Sequence, residues 1–269
     1  MNPMNELLEL AVTVASEGAK LAARRRTEPV TVAATKSSPV DVVTAVDREV
    51  EALIRDRIAA ARPDDGFLGE ESDAAGGSSG LTWVVDPIDG TVNFLYGVPL
   101  YAVSVAVVEG GTDPATWTPL AGCVVNVAAG EVFAAARGEG ATLNGEPISV
   151  SAPADLATSL LITGFGYDPA VRAEQGAVAA RLLPQARDLR RTGSCAIDLC
   201  WIAAGRADAY WERGVHVWDF AAGLLIAAEA GAAVEVGEGG SGELLVVATA
   251  PTIRAEFAAA LARATSATS

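Results

Sequence analysis

The sequence predicts one domain built from alternating layers of helix and sheet. Helical periodicity fills most of the first sixty residues, and short apolar strands separated by glycine turns follow up to about residue 150. After about residue 152, helices and strands alternate, which is typical of a sheet covered by helices. We therefore expect a single domain over 1–269, with an α+β part over about 1–150 and an α/β part over about 151–269.

The first part begins with two predicted helices. Apolar residues recur every three or four positions over 4–26 and 43–61, and Thr44 is a suitable start for the second helix. The segment 27–42 between them reads as a loop or a loose hairpin. A short strand ending in two acids is predicted at 67–72, and apolar runs then predict a meander of antiparallel strands at 82–86, 101–108, 119–127 and 131–137. The Gly/Ser-rich segment 72–80 is expected to be a surface loop, and Asn144-Gly145 to form a tight turn.

The second part alternates between the two kinds of element. Helices are predicted at 170–186, 194–204, 219–230 and 252–264. Strands are predicted at 160–164, 189–191, 207–211, 234–236 and 244–248.

Charge and composition exclude several classes of protein. The net charge of −15 argues against general nucleic-acid binding, which needs a basic surface. The three cysteines form no C-x-x-C pair and only one histidine is present, so a metal site here must be made of oxygens. The N-terminus lacks a basic region followed by an apolar stretch, and no apolar run reaches ~18 residues. We therefore expect a cytoplasmic protein without a membrane span.

The most informative segment is WVVDPIDGTVNF at 83–94. An apolar strand runs into Asp86 and Asp89, three positions apart. Because Pro87 lacks an N–H and favours extended geometry in the residue before it, we expect it to end the strand with Asp86 at the tip. Paired carboxylates suit Mg²⁺, and the N–H groups of the following Gly-Thr pair would face an anion if they open a helix. The alternative is an acidic turn that merely caps the strand.

Further acids stand close to predicted strand ends or helix starts, at Asp47, Glu70, Glu71, Glu212 and Asp219. In open α/β folds ligands bind at such places. Clustered carboxylates repel one another, and divalent cations relieve that repulsion. Each acid also has a simpler explanation. Asp219 could be a helix N-cap, and Asp47 a surface acid. Glu70 and Glu71 could be exposed turn residues, and Glu212 could pair with Arg206 or Arg213.

These residues resemble the inositol monophosphatase family of Mg²⁺-dependent, lithium-sensitive sugar phosphatases. One family signature, D-P-I-D-G-T with N-F, stands at 86–94, and a second, W-D-x-A-A-G with E-A-G, at 218–231. Shorter matches occur in the family's order at 36–39, 44–47, 69–72 and 193–194. The match covers nearly the whole chain and is greatest with the bacterial, SuhB-type branch, in particular that of actinobacteria. It implies the αβαβα layered sandwich shared with fructose-1,6-bisphosphatase.

The resemblance also implies a role for each matching position. Two to three Mg²⁺ ions would be held by Glu70, Asp86, the carbonyl of Ile88, Asp89 and Asp219. Asp47 and Thr91, with Glu70, would position the attacking water. The substrate would be bound by Asp89, Gly90, Thr91, Gly193, Ser194, Cys195 and Glu212, and Lys36 would lie on a loop that closes on the site. Cys195 departs from the small residue common in the family and has simple packing as its alternative. His216 is expected to be a structural hydrogen-bonding residue.

The implied activity is hydrolysis of myo-inositol 1-phosphate, without a nucleophilic side chain, by a protein that is usually a homodimer in this family. Phosphoryl transfer depends mainly on positioning and charge neutralisation. Related phosphatases act on histidinol phosphate, fructose 1,6-bisphosphate or 3′-phosphonucleotides, and Ile88 speaks mildly against the last group. A bisphosphate needs a second anion pocket, which Arg190, Arg191 or Arg206 could supply. The alternative from another class is a regulatory binding protein of the transcription machinery.

Overall fold

The computed structural model describes residues 3–28, 32–35, 42–240 and 242–266. The elements of the first part are α1 (Pro3–Arg26), β1 (Val32–Thr35), β2 (Val42–Thr44), α2 (Ala45–Ala61), β3 (Gly66–Gly69), β4 (Leu81–Asp89), α3 (Thr91–Tyr96), β5 (Ala102–Glu109), β6 (Thr118–Asn126), β7 (Glu131–Ala136), β8 (Ala141–Leu143) and β9 (Glu146–Ile148). The second part contains β10 (Leu160–Thr163), α4 (Pro169–Leu182), β11 (Asp188–Arg190), α5 (Cys195–Ala203), β12 (Ala209–Arg213), α6 (Val217–Glu229), β13 (Ala233–Glu238), β14 (Leu244–Thr249) and α7 (Arg254–Ser266).

Two large sheets organise the described part of the chain. The first has the strand order β3-β4-β5-β6-β7-β8-β9 and is antiparallel except for the parallel pair β3–β4. The second has the order β11-β10-β12-β14-β13, in which β10 runs parallel to both of its neighbours. The strands β1 and β2 form a separate antiparallel pair.

The sheets and helices stack in five layers, as the family resemblance implies. One core lies between the pair α1–α2 and the first sheet, and it includes Trp83 and Val85. Val84 points to the opposite face, where α5 and α6 pack, because side chains alternate across a strand. The same two helices cover one face of the second sheet through Tyr210, and α4 and α7 cover its other face through Trp211. The order of layers is therefore αβαβα.

Most predicted elements are present, with two differences in the first sheet. Pro87 does not end β4, because the strand continues to Asp89 and pairs again with Ala102 after a bulge. The missing N–H of proline interrupts the ladder at one position, and a bulge absorbs that interruption. The predicted turn at Asn144, which has φ 51°, connects β8 and β9, two short strands that the sequence analysis did not identify.

Candidate active site

The predicted site residues converge on one cavity of about 860 Å³ between the two parts of the chain. We call it the acidic cavity. Its wall contains eleven of the thirteen predicted site residues, namely Glu70, Asp86, Ile88, Asp89, Gly90, Thr91, Gly193, Ser194, Cys195, Glu212 and Asp219. Asp47 lies behind this wall in contact with Thr91. Lys36 lies outside the described residues.

The end of β4 and the start of α3 form the floor of the cavity. Asp86 is buried, and one of its carboxylate oxygens accepts a hydrogen bond of 3.0 Å from the N–H of Ile88. Gly90 has φ +93°, a left-handed conformation that turns the chain directly from the strand into the helix. Thr91 is the first residue of α3, so its side chain and the N–H groups beside it stand at the start of the helix.

Asp47 supports Thr91 from α2. The Thr91 hydroxyl lies 3.1 Å from Oδ1 of Asp47 and 3.1 Å from the carbonyl of Ile88. The other oxygen of Asp47 accepts hydrogen bonds from the N–H and the hydroxyl of Thr44, the N-cap of α2. Burial raises the pKa of Asp47 to about 6, although the hydrogen bonds from Thr44 and Thr91 act in the opposite direction. Asp47 is fully buried, so its interpretation as a surface acid is wrong.

Asp89 joins the two parts of the chain. One of its oxygens accepts hydrogen bonds of 2.6 Å from the Ser194 hydroxyl and 2.6 Å from the N–H of Ala196. Ser194 is the predicted start of α5 and caps it, accepting a hydrogen bond from the N–H of Ile197. Burial raises the pKa of Asp89 to about 6, and these donors limit the rise.

Asp219 enters the cavity from the first turn of α6. It is the third residue of the helix and accepts a hydrogen bond of 2.7 Å from the N–H of His216, which is the N-cap. The interpretation of Asp219 as the N-cap itself is therefore wrong, because the helix begins two residues earlier than the sequence indicated. His216 lines the cavity, and its ring stacks on that of Trp218 at a centroid distance of 4.9 Å.

The acids of the cavity repel one another. Burial raises the pKa of Asp86 well above its ordinary value, and the charges of Glu70, Asp89 and Asp219 add to the rise. Burial and the charges of Glu70 and Asp89 do the same to Asp219. In the described part of the chain, no arginine or lysine forms an ion pair with Asp86, Asp89 or Asp219. The repulsion can therefore be relieved by protonation of these acids or by a bound cation.

The donor chemistry fits a hard divalent cation, because it consists of carboxylate and carbonyl oxygens. Among the described residues, however, no three His, Cys, Asp or Glu side chains already stand in the geometry of a metal site. Oxygens of Asp86, Asp89 and Asp219 are instead engaged with protein N–H and hydroxyl groups. Their side chains, or their second oxygens, would have to turn toward an ion.

Glu212 lines the cavity from β12 of the second sheet. It accepts a hydrogen bond of 3.0 Å from the hydroxyl of Tyr210, and burial raises its pKa to about 7. Arg213 pairs with Glu174 and Glu243, and Arg206 with Glu131, so the proposed ion pairs of Glu212 with these arginines are wrong. Of the three arginines considered for a second anion pocket, only Arg191 lines the cavity.

Two further site features were missed or left unassigned by the sequence analysis. Asn93, quoted only as part of a motif, donates hydrogen bonds of 2.7 Å to the carbonyl of Leu100 and 2.9 Å to that of Thr192, so it fixes the turn at Gly193 against α3. Tyr210 was passed over, although its spacing of two from Glu212 on a strand is a signal that both lie on one face.

Not every signature residue belongs to the cavity. Glu229, the acid of the E-A-G sequence, accepts hydrogen bonds of 2.8 Å from the N–H of Gly138 and 3.0 Å from that of Gly140. It therefore anchors the turn between β7 and β8. Glu71 is also not an exposed turn residue, because only 4% of its side chain is accessible and Arg48 lies 3.8 Å away.

The layered αβαβα fold and the acidic cavity are those of a phosphatase, and comparison with known proteins gives the family. A sequence model of the inositol monophosphatase family matches residues 4–267. The chain therefore belongs to the inositol monophosphatase family, a family of phosphatases whose members are generally metal-dependent.

Individual relatives agree with this assignment. The inositol-1-monophosphatase SuhB of Mycobacterium tuberculosis is 50% identical over 240 residues, which cover 85% of this chain and 80% of the relative. The Nus factor SuhB of Escherichia coli is 38% identical over 249 residues, covering 90% of this chain and 89% of the relative. The solved structure of Mycobacterium tuberculosis SuhB superposes with a TM-score of 0.82 at 46% identity and covers 98% of both chains. No helix in the described residues is long and apolar enough to cross a membrane.

Proposed function

We propose that this protein is a Mg²⁺-dependent phosphomonoesterase that hydrolyses myo-inositol 1-phosphate to inositol and inorganic phosphate. The observation that carries the proposal is the convergence of Glu70, Asp86, Asp89 and Asp219 in one cavity beside the hydrogen-bonded pair of Asp47 and Thr91. The family membership and the identity to a mycobacterial inositol-1-monophosphatase support the choice of substrate.

Metal binding would involve acids from several elements of the cavity wall. Two Mg²⁺ ions, with a weaker third, would be held by Glu70, Asp86, the carbonyl of Ile88, Asp89 and Asp219. When bound, these ions supply the positive charge that neutralises the phosphate and lowers the pKa of water at the site. The donor set provides the negative charge that this function requires.

The pair of Asp47 and Thr91 positions the attacking water. The single hydroxyl proton of Thr91 has two acceptors at 3.1 Å, Oδ1 of Asp47 and the carbonyl of Ile88, and it is directed to Asp47 because an ionised carboxylate is the stronger acceptor. The lone pairs of the Thr91 oxygen then accept a hydrogen from a water molecule, which leaves that water's own lone pair free to face phosphorus. Holding a nucleophile in this way contributes to rate by orientation.

The substrate itself would contact both the floor of the cavity and the wall that the second part of the chain forms. The N–H groups of Gly90 and Thr91 would contact the phosphate, and the Gly193-Ser194-Cys195 turn with Glu212 would contact the polyol hydroxyls. Because Glu212 is aimed into the cavity from β12, it can accept a hydrogen bond from a substrate hydroxyl.

The direct test is release of inorganic phosphate from myo-inositol 1-phosphate with Mg²⁺ and with a chelator. We expect turnover that depends on Mg²⁺ and is inhibited by Li⁺. Absence of phosphate release at saturating Mg²⁺ would refute the proposal. We also propose that the protein is cytoplasmic and forms a homodimer. Sedimentation of the purified protein would test the oligomeric state.

Two secondary functions have specific observations in their favour. Arg191 at the cavity wall offers a second anion contact, so fructose 1,6-bisphosphate belongs in the substrate panel, and an Arg191→Gln variant should lose the bisphosphate activity selectively. The identity of 38% to a protein named Nus factor SuhB favours a regulatory binding role. Co-purification of a transcription factor by an inactive variant would support that role.

A further inference from the structure

Two neighbours that have no part in the proposed chemistry determine where the Glu212 carboxylate lies: Tyr210 hydrogen-bonds to it, and Gly164 leaves room for it. Tyr210 and Glu212 are two residues apart on β12, so both side chains lie on the face of the second sheet that looks toward α5 and the acidic cavity. Gly164 directly follows β10, the strand beside β12. Because Thr163 pairs with Trp211, the next residue, Gly164, lies beside Glu212.

The hydroxyl of Tyr210 can donate only one hydrogen bond. Its oxygen is 3.0 Å from a carboxylate oxygen of Glu212 and 3.0 Å from Sγ of Cys195. A carboxylate is a much stronger acceptor than a thiol sulfur, so the phenolic proton goes to Glu212. The thiol of Cys195 is then placed to donate to the phenol oxygen. Tyr210 has no accessible surface, which fixes the direction of its hydroxyl.

The missing side chain of Gly164 gives the carboxylate its space. A Cβ at position 164 would lie 2.1 Å from the carboxylate carbon and from both carboxylate oxygens of Glu212. The Glu212 carboxylate therefore lies over the backbone of its neighbouring strand, where any other residue would place an atom. The backbone of Gly164 is not in the left-handed region, so an alanine there would be accommodated if Glu212 swings away.

We infer that Tyr210 and Gly164 are positioning residues that determine the specificity of the enzyme for phosphorylated polyols, by fixing Glu212 as a hydrogen-bond acceptor for a substrate hydroxyl. Tyr210 donates to one oxygen of Glu212 and leaves the other for the substrate. Gly164 leaves open the space that the carboxylate occupies in this position. This inference rests on the proposed function, since it concerns the same cavity and the same substrate class.

The test compares a polyol phosphate with an aryl phosphate that has no polyol hydroxyls. We expect Tyr210→Phe to raise KM for myo-inositol 1-phosphate about tenfold and to leave kcat within about twofold, because the lost contact is made equally before and during reaction. The kinetic constants for p-nitrophenyl phosphate should stay within about twofold of the wild-type values. This second substrate also shows that the variant is folded.

A second variant and a double-mutant cycle distinguish a positioning role of these residues from general damage to the fold. Gly164→Ala should raise KM for myo-inositol 1-phosphate, as Tyr210→Phe does. The kinetic constants for p-nitrophenyl phosphate should again stay within about twofold of the wild-type values. In a Glu212→Ala background, where the carboxylate is gone, neither substitution should have a further effect on KM. Tyr96→Phe, at an exposed tyrosine, and Gly176→Ala, at a helical glycine with open space, are matched controls.

The outcomes distinguish this inference from the proposed function. Equal losses for both substrates, or full additivity with Glu212→Ala, would overturn the positioning role. If the wild-type protein hydrolyses neither substrate, the proposed function fails. The inference is then tested by titrating myo-inositol against the intrinsic tryptophan fluorescence, to which Trp218 in the cavity wall contributes. Binding by the wild type that weakens about tenfold in Tyr210→Phe supports the inference, and binding unchanged by that substitution, or absent, overturns it.

Discussion

Neutralising Asp86 should show separately how much stability the repulsion between the cavity acids costs and whether these acids bind cations. In Asp86→Asn the side chain keeps its size, and the amide oxygen can still accept the hydrogen bond of 3.0 Å from the N–H of Ile88. What disappears is the charge that is repelled by Glu70, Asp89 and Asp219. We therefore expect the fold to survive while the ability to hold cations is lost.

The size of the effect follows from Coulomb's law. Two carboxylates ~5 Å apart in an effective dielectric of ~20 repel by about 3 kcal/mol. Protonation relieves part of the repulsion from the three neighbours, so a net gain of about 1–3 kcal/mol is expected in the absence of cations. For a chain of this size that corresponds to a rise in Tm of roughly 2–10 °C.

The assay measures thermal unfolding in a chelator and in excess Mg²⁺, together with phosphate release. The wild type should gain stability with Mg²⁺ by mass action, by about 2.7 kcal/mol at a hundred times Kd. Asp86→Asn should be more stable than the wild type in the chelator, gain little with Mg²⁺, and lose turnover by at least ~10²-fold. Asp56→Asn, at an exposed position of α2, is the control. A variant that keeps both the Mg²⁺-induced shift and most of its activity would refute the ligand assignment.

Three further outcomes follow from individual contacts. Thr91→Val removes the hydroxyl that lies 3.1 Å from Asp47, so kcat should fall at least ~10-fold with little change in KM, as steady-state kinetics would show. Burial acts to raise the pKa of Asp65, but its hydrogen bonds, led by the one from Arg62, outweigh burial and lower the pKa. The Asp65 carboxylate therefore stabilises the fold at pH values above its unfolded pKa of ~3.9. Asp65→Asn should therefore destabilise the protein at pH 7 in urea unfolding, and the difference from the wild type should shrink as pH falls through the folded pKa. Glu229→Ala releases the turn between β7 and β8 and should cost about 1–2 kcal/mol of stability, measured in the same way, while activity per folded molecule is unchanged.

Local patterns in the sequence predicted most helices and strands, but they did not predict how the strands pair or where short strands occur. The start of α2 at Thr44 and of α5 at Ser194 followed from capping chemistry, which acts within one turn. The continuation of β4 past Pro87 was not predictable, because it depends on pairing with β5 across the bulge. The strands β8 and β9 are each three residues long, too short for a periodic signal, and only their connecting turn was visible.

For the acids, the sequence alone showed that several carboxylates stand near strand ends and helix starts, and the family resemblance predicted which of them would be oxygen ligands. Burial was decided by tertiary structure. Asp47 has the spacing of a surface acid, yet α2 packs it beneath Thr91 with no exposure. In the same way, Glu229 shares a signature with Asp219 but faces the turn between β7 and β8 instead of the cavity. Two residues ten positions apart on one helix point in different directions. Only the packing of the helix decides which of them faces the site and which stabilises the surrounding fold.

The sequence alone determined most secondary-structure elements, the acidic side chains of the candidate site and the family, because periodicity and short motifs show all three. The folded molecule alone reveals that Asp89 is tied to Ser194 across more than one hundred residues and that Gly164 leaves room for Glu212. Such relations arise from the register of neighbouring strands and from the layering of two sheets around α5 and α6. They are contacts between segments distant in the chain, and no local pattern encodes them.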